Sequence, residues 1–249
     1  MSPLTLALVF WGFVTALLSG VAGIGGGTVL IAVLFALGLS PIVAVPLHAA
    51  AQFVSNGTRT LAYMRHVRWQ ATGWFLLTGL PAPFLVAELV AGANVNLLRL
   101  LLAAVILASL APLPTFGAPR LGPRAAYLLA GALTGSLGMF IGATGVMVGR
   151  LFLRPEWDSR TVVGTLALCQ SLSHLIKVAA FASIGATVFE HGELLWPLVI
   201  SIVFGTLAGR ALHGRVGETR FRQLFNLLLA VLALKLAWDG LNGMGWTWT

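Results

Sequence analysis

Two apolar stretches of the sequence carry the same polar residues at the same spacing. Each holds a glutamine, a serine, a further polar residue and a cation: Gln52, Ser55, Asn56 and Arg59 form the first polar stripe, and Gln170, Ser173, His174 and Lys177 form the second polar stripe. Residues three, four and seven apart share one face of a helix, and His48 extends the first stripe by one turn. Cations, amides and hydroxyls donate hydrogen bonds to oxyanions, so the spacing predicts two halves of a site for a small anion.

The cations of the two stripes, Arg59 and Lys177, are the residues whose position most needs an explanation. A charge near the centre of a bilayer costs about 2.5–3.5 kcal/mol and is expected to face a cavity or a partner. The seven acidic residues all lie in predicted loops or at segment ends, so few partners exist. Each residue type also has an alternative role without anion binding. The cations could reach the membrane interface or bridge helices, the glutamines could only pack helices together, and the histidines could make helix contacts instead of carrying protons.

The composition places these stripes in a membrane protein. Of the 249 residues 58% are hydrophobic and 9% are charged, and the mean hydropathy is +0.95. A spanning helix needs about 20 apolar residues, so the chain is predicted to be an all-α polytopic protein with about eight to ten transmembrane segments. The net charge of +8 is attributed to cytoplasmic loops and not to nucleic-acid binding. Cys169 is the single cysteine, which excludes an internal disulfide.

The apolar segments are predicted to form two repeats, residues 1–115 and 116–249, within a single membrane domain. Ten segments can be drawn: 3–20, 24–39, 43–64, 69–90, 96–114, 122–138, 141–154, 161–186, 193–213 and 221–241. Segments two and seven are short, and they begin at the glycine clusters "GIGGG" and "GMFIGATG". Short, glycine-broken segments at matching places in two halves are typical of a transporter's binding site.

The charges of equivalent loops predict that the two repeats are inverted relative to each other. Arg65 and Arg68 follow segment three, whereas Glu190 and Glu193 follow its counterpart, segment eight. Ten crossings put the cation-rich loops on one side, predicted to be cytoplasmic, and both termini outside. If segments two and seven do not cross the membrane, the arginines of residues 150–160 lie outside, which fits less well the rule that cation-rich loops stay in the cytoplasm. Tryptophans near segment ends are predicted to be interfacial anchors: Trp69, Trp157, Trp196, Trp246 and Trp248.

The glycine clusters allow two interpretations. Glycine lets helices pack closely, which is the default in membranes. A helix broken at such a cluster instead offers unpaired backbone amides and a partial positive charge to an anion. The candidate binding residues of the clusters are therefore Gly25, Gly26, Gly27, Thr28, Gly142, Thr144 and Gly145.

Together these stretches resemble a known transporter family. "GVAGIGGGTVLIAVLFALGLSPIVAV", followed by a polar-spotted helix ending in "YMRHVRW", resembles the first repeat of the TauE/SafE sulfite exporters, also called toluene sulfonate uptake permeases. "SRTVVGTLALCQSLSHLIK" is similar to the second repeat, although "GATG" replaces a richer glycine run. The resemblance implies transport of sulfite, sulfonates or related organosulfur anions such as sulfoacetate across a bacterial cytoplasmic membrane.

The predicted function is export of such an anion by alternating access between the two repeats. In this prediction Arg59 and Lys177 supply the charge, and the other stripe residues form hydrogen bonds to the oxygens of the anion. The predicted partners are the anion and the lipid bilayer, and assembly with further copies of the chain is left open. No cofactor or metal is predicted. The alternatives are an anion channel of the same fold, a membrane enzyme and a non-transporting assembly factor. The enzyme is disfavoured because neither H-E-x-x-H nor G-x-S-x-G occurs.

Overall fold

The computed structural model describes residues 1–22, 26–110, 121–142, 144–212 and 218–245, and every regular element in this part of the chain is a helix. The α-helices are, in chain order, α1 (Pro3–Ala22), α2 (Gly26–Ala36), α3 (Pro41–Tyr63), α4 (Trp69–Gly79), α5 (Pro81–Ala91), α6 (Val95–Leu110), α7 (Pro123–Gly135), α8 (Leu137–Ile141), α9 (Gly145–Gly149), α10 (Ser159–Ser183), α11 (Gly192–Leu212) and α12 (Glu218–Gly243). Short 3-10 helices cover Met64–His66, Arg150–Phe152 and Val188–His191. The predicted all-α class is confirmed.

Two predicted segments are divided into pairs of helices. Segment four is α4 and α5, which meet at a bend of 42°. Pro81 starts α5, and because proline has no N–H it cannot continue the hydrogen-bond ladder of α4. Segment six is α7 followed by α8, joined at Ser136, whose hydroxyl donates to the Ala132 carbonyl at 2.6 Å. Such back-bonding bends helices.

Several helices of the described chain are suited to cross a membrane. Four stretches are long and apolar enough, and a fifth is added if the bent pair α4–α5 counts as one span: Pro3–Gly20, Ser159–Ser183, Val188–Gly209, Gln223–Gly243 and Trp69–Ala91. Helix α3 has 23 residues and is about 34 Å long, which exceeds a hydrocarbon core of about 30 Å, but it carries the first polar stripe. The count of ten spans therefore remains a prediction.

The segments that begin at the glycine clusters are short in the structure. Helix α2 has 11 residues, about 16 Å, and α9 has five before its 3-10 extension. The side chains from Val29 to Phe35 are all buried, between α1, α3, α6 and α12. A short helix can end at membrane depth only where protein surrounds it, because lipid cannot satisfy its terminal backbone groups.

The most extensive helix contacts each join a helix of the first half to one of the second. Helix α1 packs parallel to α11, and α4 packs parallel to α7. The parallel sense follows from successive contacts: Gly12 with Leu198, Phe13 with Gly205 and Leu17 with Gly209 in the first pair, and Phe75 with Gly131 and Gly79 with Gly135 in the second. Glycines allow the backbones to approach closely at both contacts.

The other two extensive contacts, α3 with α10 and α6 with α12, are antiparallel. Asn96 of α6 lies against Gly243, and Leu100, one turn later, lies against Gly240. One large apolar cluster centres on α2 and the helices around it, and a second joins α4, α7 and α10 through Phe75, Tyr127, Phe152 and Cys169. The two halves of the chain are thus interlocked.

Candidate functional site

The crossing of α3 and α10 brings the two polar stripes face to face. The Ser171 hydroxyl donates to the Phe53 carbonyl at 3.3 Å, and Gly164 lies against Tyr63. At the other side of this contact the rings of His48 and His174 meet edge to face, with centroids 5.5 Å apart. Along these contacts the residue number on α3 rises as the residue number on α10 falls, so the two helices run antiparallel through the crossing. Gln52, Ser55, Gln170 and Ser173 all lie within about one turn of its centre.

The antiparallel arrangement places the two cations on opposite sides of the crossing. At 1.5 Å per residue, the backbone of Arg59 lies about 16 Å along the helix axes from that of Lys177, which is level with His48. The two cations therefore lie at different levels of the crossing in this conformation, and the expectation that both supply charge to one anion stays a prediction. An oxyanion of a few heavy atoms is too small to contact both cations at once in this conformation. Of the two cations, Lys177 lies at the level where the rings of His48 and His174 meet.

Lys177 is the most unusual ionisable residue of the described chain. It is 0 % exposed, and its Nζ donates to the Gly138 carbonyl at 2.9 Å. The Thr144 side chain lies beside the same glycine, and its hydroxyl donates to Thr134 at 3.3 Å. No carboxylate pairs with Lys177, since the one ion pair found in the described residues is exposed, between Lys235 and Asp239. A buried charge of this kind is costly, so Lys177 is a candidate functional position.

Arg59 has a different environment from its counterpart. Its guanidinium donates to the Ser19 hydroxyl at 3.2 Å and to the Asn56 side-chain oxygen at 3.5 Å. The side chain is only partly buried. These bonds join α3 to the end of α1, so the structure gives Arg59 a helix-bridging contact, one of the alternatives left open by the sequence. A role in anion binding remains a prediction.

The two histidines are buried at the level of Lys177. His48 is 1 % exposed, and its Nε2 lies 3.0 Å from the Gly27 carbonyl. This contact requires Nε2 to carry the proton, because a carbonyl oxygen only accepts. His174 is 3 % exposed and packs against the His48 ring. The histidine pair therefore joins α2, α3 and α10 at one point.

Polar atoms without a hydrogen-bond partner within the described residues concentrate at this crossing. Four of them belong to the stripes and their extension: His48 Nδ1, Gln170 Nε2, Ser173 Oγ and His174 Nδ1. A buried polar atom left unpaired costs about 1–3 kcal/mol, and such groups persist where function uses them. Three of the four are on α10, next to Lys177. The second stripe thus combines a buried cation with donors directed at no protein group.

The glycine clusters line the same region from both halves. A Cβ on Gly27 would lie 2.9 Å from the Gln52 side-chain oxygen, and one on Gly26 would meet Ser19 at 2.6 Å. Gly142 has φ +71°, which breaks the helix between α8 and α9 as the sequence predicts, and it faces Ile31 of α2. The break at Gly142 is therefore in contact with the middle of α2.

Some predicted site residues have no defined role in the structure. Gly25 lies outside the described residues. Thr28 and Gly145 are partly buried, with open space beside Gly145, and Ser55 is buried on α3. Sequence reasoning missed the Gly138 carbonyl and the Ser19 hydroxyl as partners of the two cations. Gly138 begins the second glycine cluster, but the residue type gives no signal for the use of a carbonyl.

Among the described residues, no three His, Cys, Asp or Glu side chains lie close enough together to hold a metal ion. The arrangement is a crossing of two helices with one buried cation and several buried polar atoms that have no protein partner. These groups suit an anion with several acceptor oxygens.

A family model described as Sulfite exporter TauE/SafE matches residues 8–236 of the chain. The match covers both polar stripes, both glycine clusters and the α3–α10 crossing. No curated protein and no solved structure matches the chain significantly.

Proposed function

Since the chain belongs to the TauE/SafE sulfite exporter family, we propose that it is a secondary transporter that exports a small sulfur oxyanion, of the sulfite or sulfonate type, across the bacterial cytoplasmic membrane. The observation that carries the proposal is Lys177, buried at the crossing of α3 and α10 with no carboxylate to neutralise it. An anion that binds there supplies the missing negative charge, and its oxygens accept the unpartnered donors of the second polar stripe.

The substrate contacts of the proposed site come mainly from α10. Lys177 provides the charge, while Gln170, Ser173 and His174 donate hydrogen bonds to the substrate oxygens. Charge-assisted bonds of this kind contribute about 1.5–3 kcal/mol each. Gln52 completes the site from α3, and His48 joins it when Nδ1 also carries a proton, because the Nε2 proton is donated to the Gly27 carbonyl. Arg59 and Asn56 occupy the equivalent place on the other side of the crossing, where the substrate arrives after the helices move.

The helix packing supports an inverted repeat as the basis of alternating access. In the proposed repeat, a two-fold axis in the membrane plane would relate α3 to α10 and α6 to α12. A helix related to its partner by such an axis must cross it antiparallel, and both pairs are antiparallel. The same axis exchanges the pair α1–α11 with the pair α7–α4, and both are parallel. The proposed repeats are residues 1–115 and 116–249 with ten crossings, cation-rich loops in the cytoplasm and both termini outside.

The membrane potential can supply the energy for export. Moving one negative charge outward gains about 2.3 kcal/mol for each 100 mV of an inside-negative potential. The proposed mechanism therefore requires no coupling ion. The buried histidine pair lies close enough to Lys177 for a proton to accompany the anion, which the pH dependence of flux in liposomes without a potential tests.

Flux of sulfite and of a short sulfonate into liposomes that hold the purified protein tests the proposal. We expect saturable, counterflow-competent flux in the wild type and in Lys235→Gln, and loss of at least tenfold in Lys177→Gln. Arg59→Gln is expected to lose less than Lys177→Gln, because Arg59 is bonded to Ser19 and Asn56. Undiminished flux in Lys177→Gln would remove the proposed site, and flux that rises linearly with concentration would favour an anion channel.

Cysteine accessibility tests the inverted topology separately. Ser40, before α3, and Ser159, at the start of α10, are both exposed and occupy equivalent places in the two repeats. In a Cys169→Ser background, a membrane-impermeant maleimide should label Ser40→Cys and Ser159→Cys from opposite sides. Labelling of both from the same side would refute the inversion and leave the anion site untouched.

A further inference from the structure

A second feature of the molecule is a cleft of about 1000 Å³ at the start of α4 and α7, which none of the polar-stripe residues lines. Its polar walls carry Arg68, Arg124 and Glu156, and its aromatic walls carry Trp69, Trp74 and Trp157. The proposed transport function uses none of these residues. We propose that this cleft binds the headgroup of an anionic phospholipid of the surrounding membrane.

The arginines of the cleft are available to an anion. Arg124 lies over the ring of Trp74, with its guanidinium carbon 5.4 Å from the ring centroid, and no carboxylate of the described residues pairs with it. The Arg68 side chain is exposed, while its backbone N–H, donating to Thr165 at 3.0 Å, fixes the position of the residue. A planar guanidinium stacked on an aromatic ring still offers its edge donors to a phosphate.

A third guanidinium reinforces the positive charge of the wall. Arg154 lies over the Tyr127 ring at 5.4 Å and donates to the carbonyls of Leu121 and Leu151. Trp157 stacks on the other part of the same tyrosine, with ring centroids 5.8 Å apart. Glu156 is the single acid that lines the cleft. The net positive charge selects an anionic headgroup over a neutral one.

Size and position distinguish a lipid from the transported anion. A sulfite-sized ion has only a few heavy atoms and fills a small part of a cleft of about 1000 Å³. Tyr127, which lines the cleft, belongs to an apolar cluster with Phe75 and Phe152, and both phenylalanines are fully buried. Trp69, at the rim, is 63 % exposed, and tryptophan at the end of a membrane helix lies at the headgroup level. An aromatic rim beside cations matches a headgroup with its acyl chains.

Native mass spectrometry and thermal unfolding of the delipidated, full-length protein in detergent test the assignment, with phosphatidylglycerol as the probe and phosphatidylcholine as the comparison. We expect phosphatidylglycerol to be retained and to raise the unfolding temperature, as a ligand of the native state does. The double variant Arg68→Gln/Arg124→Gln should bind it at least tenfold more weakly. The matched control is Arg65→Gln/Arg160→Gln, which removes the same charge from exposed arginines outside the cleft and should bind as the wild type does.

A variant that binds the lipid more tightly gives a result that misfolding cannot explain. Glu156→Gln removes the one negative charge of the cleft and should bind phosphatidylglycerol several-fold more tightly. Equal binding in the wild type, the cleft variants and the control would overturn the proposal. So would binding of free sulfite or inorganic phosphate with the same dependence on Arg68 and Arg124 and no binding of phosphatidylglycerol, because the cleft would then serve a small soluble anion.

Discussion

Replacing Lys177 with methionine should separate the stability of the protein from its activity. The substitution keeps an unbranched side chain of similar length and removes a charge that is 0 % exposed. Burial of that charge costs about 2.5–3.5 kcal/mol. The hydrogen bond that the ammonium donates to the Gly138 carbonyl returns about 1.5–3 kcal/mol. The carbonyl does not become unpaired in the variant, because it also accepts from the Gly142 N–H at 3.0 Å.

The difference between these free energies makes the variant about 1 kcal/mol more stable than the wild type. For a chain of this length that is a rise of about 2–4 °C in the unfolding temperature, measured by thermal unfolding in detergent without substrate. Sulfite at 100 times its dissociation constant should stabilise the wild type by about 2.7 kcal/mol. This protection should fall to about 0.4 kcal/mol in Lys177→Met, because loss of a charge-assisted bond of about 3 kcal/mol weakens binding by about two decades.

The control is Lys235→Met on α12, which removes an exposed lysine from its ion pair with Asp239 and should leave both stability and sulfite protection nearly unchanged. A fall of more than about 4 °C in Lys177→Met, together with intact sulfite protection, would refute the reasoning. Lys177 would then be a structural residue whose bond to Gly138 outweighs the cost of its burial.

Two further predictions concern the scaffold. Gly131→Ala should lower the free energy of unfolding by about 1–3 kcal/mol, because the added Cβ would collide with the Phe75 carbonyl and force α7 away from α4. Thermal unfolding measures the loss. The control is Gly73→Ala on α4, which has open space beside it and should not destabilise the protein. Equal losses in the two variants would contradict the packing argument. Asp158 caps α10 by accepting from the Thr161 N–H at 2.8 Å, and these hydrogen bonds to Thr161 hold the pKa of its carboxyl below the ordinary 3.8. Its folded pKa is depressed, so the stabilisation over Asp158→Ala should be constant above about pH 4 and should be lost as the pH falls through the folded pKa. A stability difference between the two proteins that does not shrink on acidification would exclude the ionised cap.

Much of the local structure follows from the sequence because it depends on residues close together in the chain. The 3.6-residue period predicts that Gln52 and Arg59 share a face, and proline fixes the start of α3 at Pro41. The glycine cluster from Gly138 to Gly145 allows a broken helix, and the structure places a positive φ at Gly142, between α8 and α9. The division of segment four at Leu80 was not predicted, although Pro81 gave the signal.

The candidate site shows where sequence reasoning ends. Equal spacing predicts that the two stripes correspond, and the loop charges predict that α3 and α10 run in opposite directions, but neither gives the register at which the helices cross. The antiparallel crossing separates Arg59 from Lys177 and aligns His48 with His174, whose positions in the sequence show no match. The partner of Lys177 is a backbone carbonyl, and every residue has one, so no residue type could reveal it.

By itself the sequence determined that this chain is an apolar, helical membrane protein of the TauE/SafE family with two polar helix faces, because composition, helical period and glycine breaks are properties of neighbouring residues. Only the tertiary structure decided which cation is buried, which donors remain unpartnered and where arginines and tryptophans form a cleft. Those properties arise from contacts between segments far apart in the chain. Their register is set by the packing of small residues such as Gly131 and Gly164 against distant backbones.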